Sequence, residues 1–429
     1  MNEQWFEFYH YYELSRLVYM LHTRYQKNIL DNGLIIVTET IPHIHSVSIG
    51  VWIRSGSRQE TKENNGIAHF LEHIMFKGTK KRSAREIARS LESLGGYLNA
   101  FTSKEQTCYY AEVLDSQLPR AVDILSDMLG NSLFAPKEIE KEREVILDEI
   151  DSVEDTPDDL VQDIFVEKLY PGNSLGYPIL GTKVNIKNIT REQLLSFYHR
   201  HYITENIVIS AAGNLEHEKL VSLCERKFHL PHSGSPDPAV PTSETGEGDF
   251  LYRRQINQTH ICLGTTALPY NHTFKYELLL LNTLLGVGMG SRLFQNIREK
   301  YGVAYSIYSY VDFFRDNGLL AIYLGTEKNK KDQALQLVEK EIRQLRTKKI
   351  SQTELNRVKT QLKGSLVLGL ENSSKRMSRL AKMEIYLQKY HDVERVMKDI
   401  DKVTTASLYE LINRIFTSHQ LLRIIFLPV

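Results

Sequence analysis

The stretch "IKNITREQLLSFYHRHYITENIVISAAGNL", Ile186 to Leu215, returns in altered form as "IDKVTTASLYELINRIFTSHQLLRIIFLPV", Ile400 to Val429. Each holds, four residues in, a threonine able to cap a helix (Thr190, Thr404) and runs on as an amphipathic helix. A short polar turn and a β-rich closing run follow. A second pair stands upstream. "FAPKEIEKEREVILDEIDSVEDTPDDL" parallels "ISQTELNRVKTQLKGSLVLGLENSSKRM", each with a cap-like start, a long helix and a polar break. The offset within such pairs drifts between about 208 and 216 residues, as duplication with small insertions would leave it. Strand-like segments open each half ("GLIIVTE" and "HSVSIGVWIRSG"; "THICLGTTA"). Helices come next, then paired strand segments, further helices and a closing strand. Blocks of this kind predict an α+β fold of two homologous domains, each a mostly antiparallel sheet with helices packed on it. The stretch Leu230 to Gly248, rich in Pro, Gly, Ser and acids, reads as a linker between domains at 27–229 and 249–429.

Bulk properties narrow the function. A chain of 429 residues is too long for one compact core. Lys+Arg and Asp+Glu number 53 each, which lacks the basic excess of a nucleic-acid binder. No run reaches the roughly 18 apolar residues of a membrane span. Cys108, Cys224 and Cys262 are odd in number and widely spaced, which predicts buried thiols in a reducing, cytoplasmic setting rather than disulfides. The first 26 residues are aromatic but interrupted by Glu3, Glu7, Glu13 and Arg16, so they fit neither a signal peptide nor a transit peptide. A docking helix and a misplaced start, with Met20 just ahead of the first strand, both remain open for them. "GVGMGSRLF", Gly286 to Phe294, tempts toward a phosphate loop but has Ser291 where the third glycine would stand, and no Walker lysine. It reads as a turn.

The chemistry is concentrated in "GIAHFLEHIMFKGT", Gly66 to Thr79. On a helix His69 and His73 share a face, their Cβ atoms about 5–6 Å apart, and could present two imidazoles to one zinc. Glu72, beside His73, could reach a metal-bound water without being a ligand, the inverse of H-E-x-x-H. Ordinary helices also carry two histidines and a glutamate at this spacing. Here the other side chains are Ile67, Phe70, Leu71, Ile74, Met75 and Phe76, and titratable groups in such company are costly unless something satisfies them. A third ligand is sought on "PKEIEKEREVILDEIDSV", Pro136 to Val153, where Pro136 suits a first turn. Glu142 and Glu149 lie seven apart on one face of it, with Val145, Ile146 and Ile150 near Glu149. Pairing with Lys141 or Arg143 is the competing reading for Glu142.

The spacing H-x-x-E-H, with a glutamate 76 positions beyond the second histidine, resembles the pitrilysin-type zinc metallopeptidases. Within them the chain is similar to the group of the mitochondrial processing peptidase and its bacterial relatives. "NNGIAHFLEHIMFKGT", "NAFTSKEQTCYYAEVL" and "EREVILDEIDSVEDTPDD" carry the likeness, which extends from about residue 27 to the end. The resemblance implies one Zn2+ per chain held by His69, His73 and Glu149, with Glu72 as general base and Glu142 supporting from behind. It implies that the two halves form a clamshell. It further implies that Arg298 and Tyr305, seven apart in "IREKYGVAYS", hold the substrate carbonyl, and that Asn99, Ala100 and Phe101 line an edge to which a peptide adds as a strand. Asp159 and Asp163 match acids associated with an arginine near the cleavage site, implying a preference for basic peptides. In heterodimeric relatives the zinc motif and the Arg–Tyr pair sit on different chains. This chain carries both, which implies a self-sufficient subunit acting on peptides, as a homodimer. The aligned part of the second half, "KYELLLLNTLLG", Lys275 to Gly286, has no histidine and cannot hold metal this way. The rival expectation, a non-catalytic core subunit of a larger complex, is weighed against the completeness of the three ligands and the base.

Overall fold

The structure, a computed structural model, describes residues 23–232, 244–417 and 421–429. Most of the expected linker and residues 1–22 of the leader lie outside the described residues.

Two sheets organise the chain. The first contains β1 (Arg24–Ile29), β2 (Ile35–Thr40), β3 (Ser46–Ile53), β4 (Tyr97–Thr102), β5 (Thr107–Leu114) and β6 (Ile207–Gly213), in the order β1-β2-β6-β3-β5-β4. The second contains β7 (Asp249–Arg254), β8 (Thr259–Ala267), β9 (Ser306–Phe313), β10 (Gly318–Thr326) and β11 (Leu422–Pro428), in the order β7-β11-β8-β10-β9. Leaving out β1, the two orders are the same, and the parallel pair β2–β6 has its counterpart in β7–β11. All other pairings are antiparallel. From Tyr97 to Ser306 at the edge strands, and from Ile207 to Leu422 at the closing strands, the offset runs from 209 to 215 residues. The α+β architecture of two homologous halves is therefore what the repeat expects.

The helices follow the same plan. Between β3 and β4 come α1 (Ile67–Met75) and α2 (Ala84–Glu92). Between β5 and β6 come α3 (Leu118–Asn131), α4 (Pro136–Glu154), α5 (Pro157–Leu169), α6 (Lys183–Asn188) and α7 (Arg191–His201), and α8 (His217–Lys227) follows β6. In the second half α9 (Lys275–Gly286) precedes β9. After β10 come α10 (Lys331–Thr347), α11 (Gln352–Gly369), α12 (Ser373–Leu387), α13 (Val393–Lys402) and α14 (Thr405–Ile415). Helix starts use the expected signals: Thr190 and Thr404 cap α7 and α14, and Pro136 opens α4.

Side-chain alternation gives each sheet two apolar faces. Val47, Ile49, Val51 and Ile53 of β3 join α1, α3 and α4 in one core, and β8 and β10 join α9, α10 and α14 in its counterpart. The opposite faces are closed by exchange. Helix α12, from the second half, lays Met377, Leu380 and Ala381 on Val37, Trp52, Cys108 and Val208 of the first sheet. Helix α5, from the first half, lays Val161, Phe165 and Leu169 on Cys262, Leu319, Ala321 and Ile424 of the second. The fit is close: a Cβ on Gly50 would come within 2.6 Å of Met377 Sδ. Glu39 pairs with Arg376 in the buried seam, and Lys27 with Glu384 at 2.7 Å. The two halves are thus interlocked by equivalent helices. Cys108, Cys224 and Cys262 are free and buried, and burial raises each thiol pKa.

Candidate metal centre

Helix α1 packs on α4, and this brings the three expected ligands together. His73 Nε2 lies 3.6 Å and His69 Nε2 3.8 Å from Glu149 Oε2, and the three ligand atoms fall within 4.8 Å of one another. A tetrahedral ion with bonds of about 2.0–2.1 Å needs ligand atoms about 3.3 Å apart. The donor set fits Zn2+ with a modest inward movement. Among the described residues this is the one group of three that could hold a metal.

The surroundings prepare the imidazoles for that role. Burial and the neighbouring His73 push the His69 pKa down to about 3, so His69 is neutral and its lone pair is available. His73 donates from Nδ1 to Glu142 Oε2 at 3.0 Å, which leaves Nε2 as the acceptor facing Glu149. Glu142 is itself 4% exposed and held by Lys77 at 2.7 Å. The competing reading of Glu142 as a Lys/Arg-paired acid holds in part, but the partner is Lys77, because the neighbours on its own helix are engaged elsewhere. Lys141 pairs with Glu138, and Arg143 pairs with Glu140 and donates to the carbonyls of Ile186 and Ile189. Glu149 is 41% exposed, as is Val145 one turn before it, while Ile146 and Ile150 are buried, so Glu149 stands at the rim of the packed α4 face.

Glu72 points from α1 toward the edge strand. Its Oε2 accepts a 2.6 Å hydrogen bond from Thr102 Oγ1, the last residue of β4. Burial raises its carboxyl pKa, while Thr102 and His73 act the other way. Strand β4 is an edge strand, not an internal one. Leu98 and Ala100 face the α1 side, and Asn99 and Phe101 are exposed on the other. Asn99 Oδ1 accepts the Ala100 N–H at 2.9 Å.

Other expected site residues lie elsewhere. Tyr305 is 52% exposed and donates to Glu327 at 2.7 Å, and Arg298 lies over the Phe294 ring within the π-helical turn Phe294–Glu299. Among the described residues no hydrogen bond, ion pair or ring contact joins either to His69, Glu72, His73 or Glu149. Asp159 is exposed on α5. Asp163, one turn on, is accessible yet walled in by protein, which raises its carboxyl pKa against the pull of Lys104. In "GVGMGSRLF" the carbonyls of Val287, Met289 and Gly290 accept from Gln361, Gln295 and Arg357, so the segment is a pinned turn. Thr102 and Lys77 are functional neighbours that motif reading passes over, since only the packing of β4 and α4 on α1 gives them partners.

Comparison with known proteins agrees with this geometry. Residues 35–183 match the model of the insulinase peptidase family M16, and residues 188–362 match that of the M16 inactive domain. An "uncharacterized zinc protease" of Bacillus subtilis is 41% identical over 92% of this chain and 96% of its own length. The chain belongs to the insulinase family, peptidase family M16. Another "uncharacterized zinc protease" of this kind, from Mycobacterium tuberculosis, is 40% identical over 89% of each chain. The M16 fold is also seen in a solved protease of Helicobacter pylori, with a TM-score of 0.87 at 22% identity over 95% of this chain and all of the other. In this M16 chain α9 stands where α1 stands in the first half, and its leucines 278, 280, 281, 284 and 285 are core residues. That is why the second half offers no ligand set. No described helix is long and apolar enough to cross a membrane.

Proposed function

We propose that this chain is a zinc-dependent endopeptidase of the processing-peptidase group, hydrolysing short or unfolded peptides. The convergence of His69, His73 and Glu149 beside an unliganded Glu72 carries the reading. His69, His73 and Glu149 would hold Zn2+, which when bound would supply Lewis acidity toward a carbonyl and lower the pKa of water toward about 7. Glu72 Oε2 takes the proton of the attacking water and returns it to the leaving amine. Thr102 keeps that oxygen in place and favours its charged form. A peptide added along the edge of β4 would displace Asn99 Oδ1 from the Ala100 N–H and pair through its backbone, which binds without a strict sequence demand.

Arg298 and Tyr305 are assigned to the site of a second copy in a homodimer, since among the described residues their contacts are to Phe294 and Glu327 and not to the ligands of their own chain. There they steady the developing oxyanion, a contribution typically of about 2.7–4 kcal/mol for one donor. Asp159 and Asp163 favour basic peptides, with Lys104 moderating Asp163. Three free buried thiols fit a reducing compartment. The test is metal content with turnover: one zinc per chain, retained in Glu72→Gln while peptide hydrolysis disappears. Wild-type turnover in that variant defeats the assignment, and a chain without zinc or activity returns the reading to a non-catalytic subunit.

A further inference from the structure

The helix that carries His69, Glu72 and His73 starts without a cap of its own. Its N-cap is Gly66, at φ +100°, which has no side chain to accept the first N–H groups. Glu60 does this from outside the helix. Its Oε2 accepts from the Gly66 N–H at 2.9 Å and Asn65 Nδ2 at 2.7 Å, and its Oε1 accepts from the Ala68 N–H at 2.8 Å. Glu60 is 5% exposed. One carboxyl group therefore spans the first turn of α1 and satisfies its N–H groups where no cap side chain does, although burial raises its pKa to about 8 against these three bonds. The turn cannot slide, since a Cβ on Gly66 would meet Gly181 Cα and Leu180 O at 2.8 Å.

Glu60 is itself anchored through the residues before it. The Arg58 N–H donates to Lys104 O at 2.7 Å, and Ser174 Oγ donates to Arg58 O at 2.6 Å. The Arg58 guanidinium, fully buried, bridges Glu105 at 2.5 Å and Asp316 at 2.7 Å. Lys104 and Glu105 lie in the turn that ends β4, and Asp316 lies in the β9–β10 turn of the other half. The cap of α1 thus stands on a platform shared with the edge strand and the second sheet.

We propose that Glu60 is a positioning residue of the metal centre: by fixing the first turn of α1 it sets the direction of His69 and Glu72. This rests on the metal-centre reading above. The test measures zinc affinity of the full chain by chelator competition, together with kcat and KM on an unfolded peptide. Glu60→Gln keeps the volume but turns a donor toward N–H donors. Its zinc Kd is expected to rise about tenfold or more, as for other groups that orient ligands, and kcat to fall with KM little changed. Ser83→Ala is the control. It removes the cap of α2, and is expected to lower Tm while leaving zinc Kd and kcat unchanged. If Glu60→Gln does not fold, Glu60→Asp, which keeps the carboxyl group but is one methylene shorter, is measured in the same way. Wild-type zinc affinity and kcat in a folded Glu60 variant overturn the proposal, as does an equal loss of affinity in Ser83→Ala. Absence of zinc binding in the wild-type chain overturns the metal-centre reading and this inference with it.

Discussion

Thr102 Oγ1 donates to Glu72 Oε2 at 2.6 Å, joining the last residue of an edge strand to the carboxylate between the two histidines of the candidate metal centre. The contact couples the place where a peptide strand would lie to the group that would move the proton. It also opposes the burial that raises the Glu72 carboxyl pKa.

Thr102→Val should therefore change the pH profile as well as the rate. Burial places the Glu72 pKa above its ordinary value, and the Thr102 bond lowers it. A base works only when ionised, so kcat rises with pH through this pKa. Removing the bond moves the acid limb to higher pH. A hydrogen bond to a charged group is worth about 1.5–3 kcal/mol, so a kcat loss of about tenfold or more is expected near neutrality. A scaled-down profile with an unmoved acid limb would count against the coupling.

Glu142→Gln should weaken metal binding without unfolding the chain. Its carboxylate fixes the His73 tautomer and is fixed by Lys77. Loss of such a partner typically costs about 10–100-fold in metal affinity. Chelator competition reads this directly, and an unchanged zinc Kd would remove Glu142 from the site.

Much of this was legible in the sequence, for specific reasons. The repeat is visible because Thr190 and Thr404 cap equivalent helices that lead into equivalent closing strands. His69 and His73 are legible because helical spacing is local, whereas helical spacing offers Glu142 and Glu149 alike on one long helix and only the resemblance points to Glu149 as the ligand. The exchange of α5 and α12 was not legible, because period and composition show that a helix has an apolar face but not which sheet receives it. Thr102 and Glu60 carry no local signal beyond a helix that begins at a glycine without a capping side chain. Arg298 and Tyr305 came from resemblance, and their packing joins neither to the ligands of the same chain.

The exchange has a consequence for stability. Phe165 and Met377 are at most 1% exposed, each on a helix that closes the other half's sheet. Phe165→Ala should destabilise the chain by about 3–5 kcal/mol and Met377→Ala by about 2–5 kcal/mol. Because each sheet needs the other half's helix, both variants should unfold in one transition at lower urea. Two separated transitions, only one of them shifted, would show that the halves are independent.

Subunit mixing tests where Arg298 and Tyr305 act. His73→Ala breaks the ligand set and Tyr305→Phe removes the hydroxyl on the opposite wall, so each homodimer alone should be nearly inactive. If the site is built across a two-fold interface, a mixed dimer holds one site with both defects and one with neither. Equal mixing after subunit exchange makes about half the dimers mixed, each with one working site, so about a quarter of wild-type activity should return. If both sets serve the same chain's site, every chain in the mixture keeps its own defect and no activity returns. Size-exclusion chromatography of the wild-type chain supplies the companion measurement, since a strictly monomeric yet active enzyme would defeat the assignment of Arg298 and Tyr305 to a second copy's site.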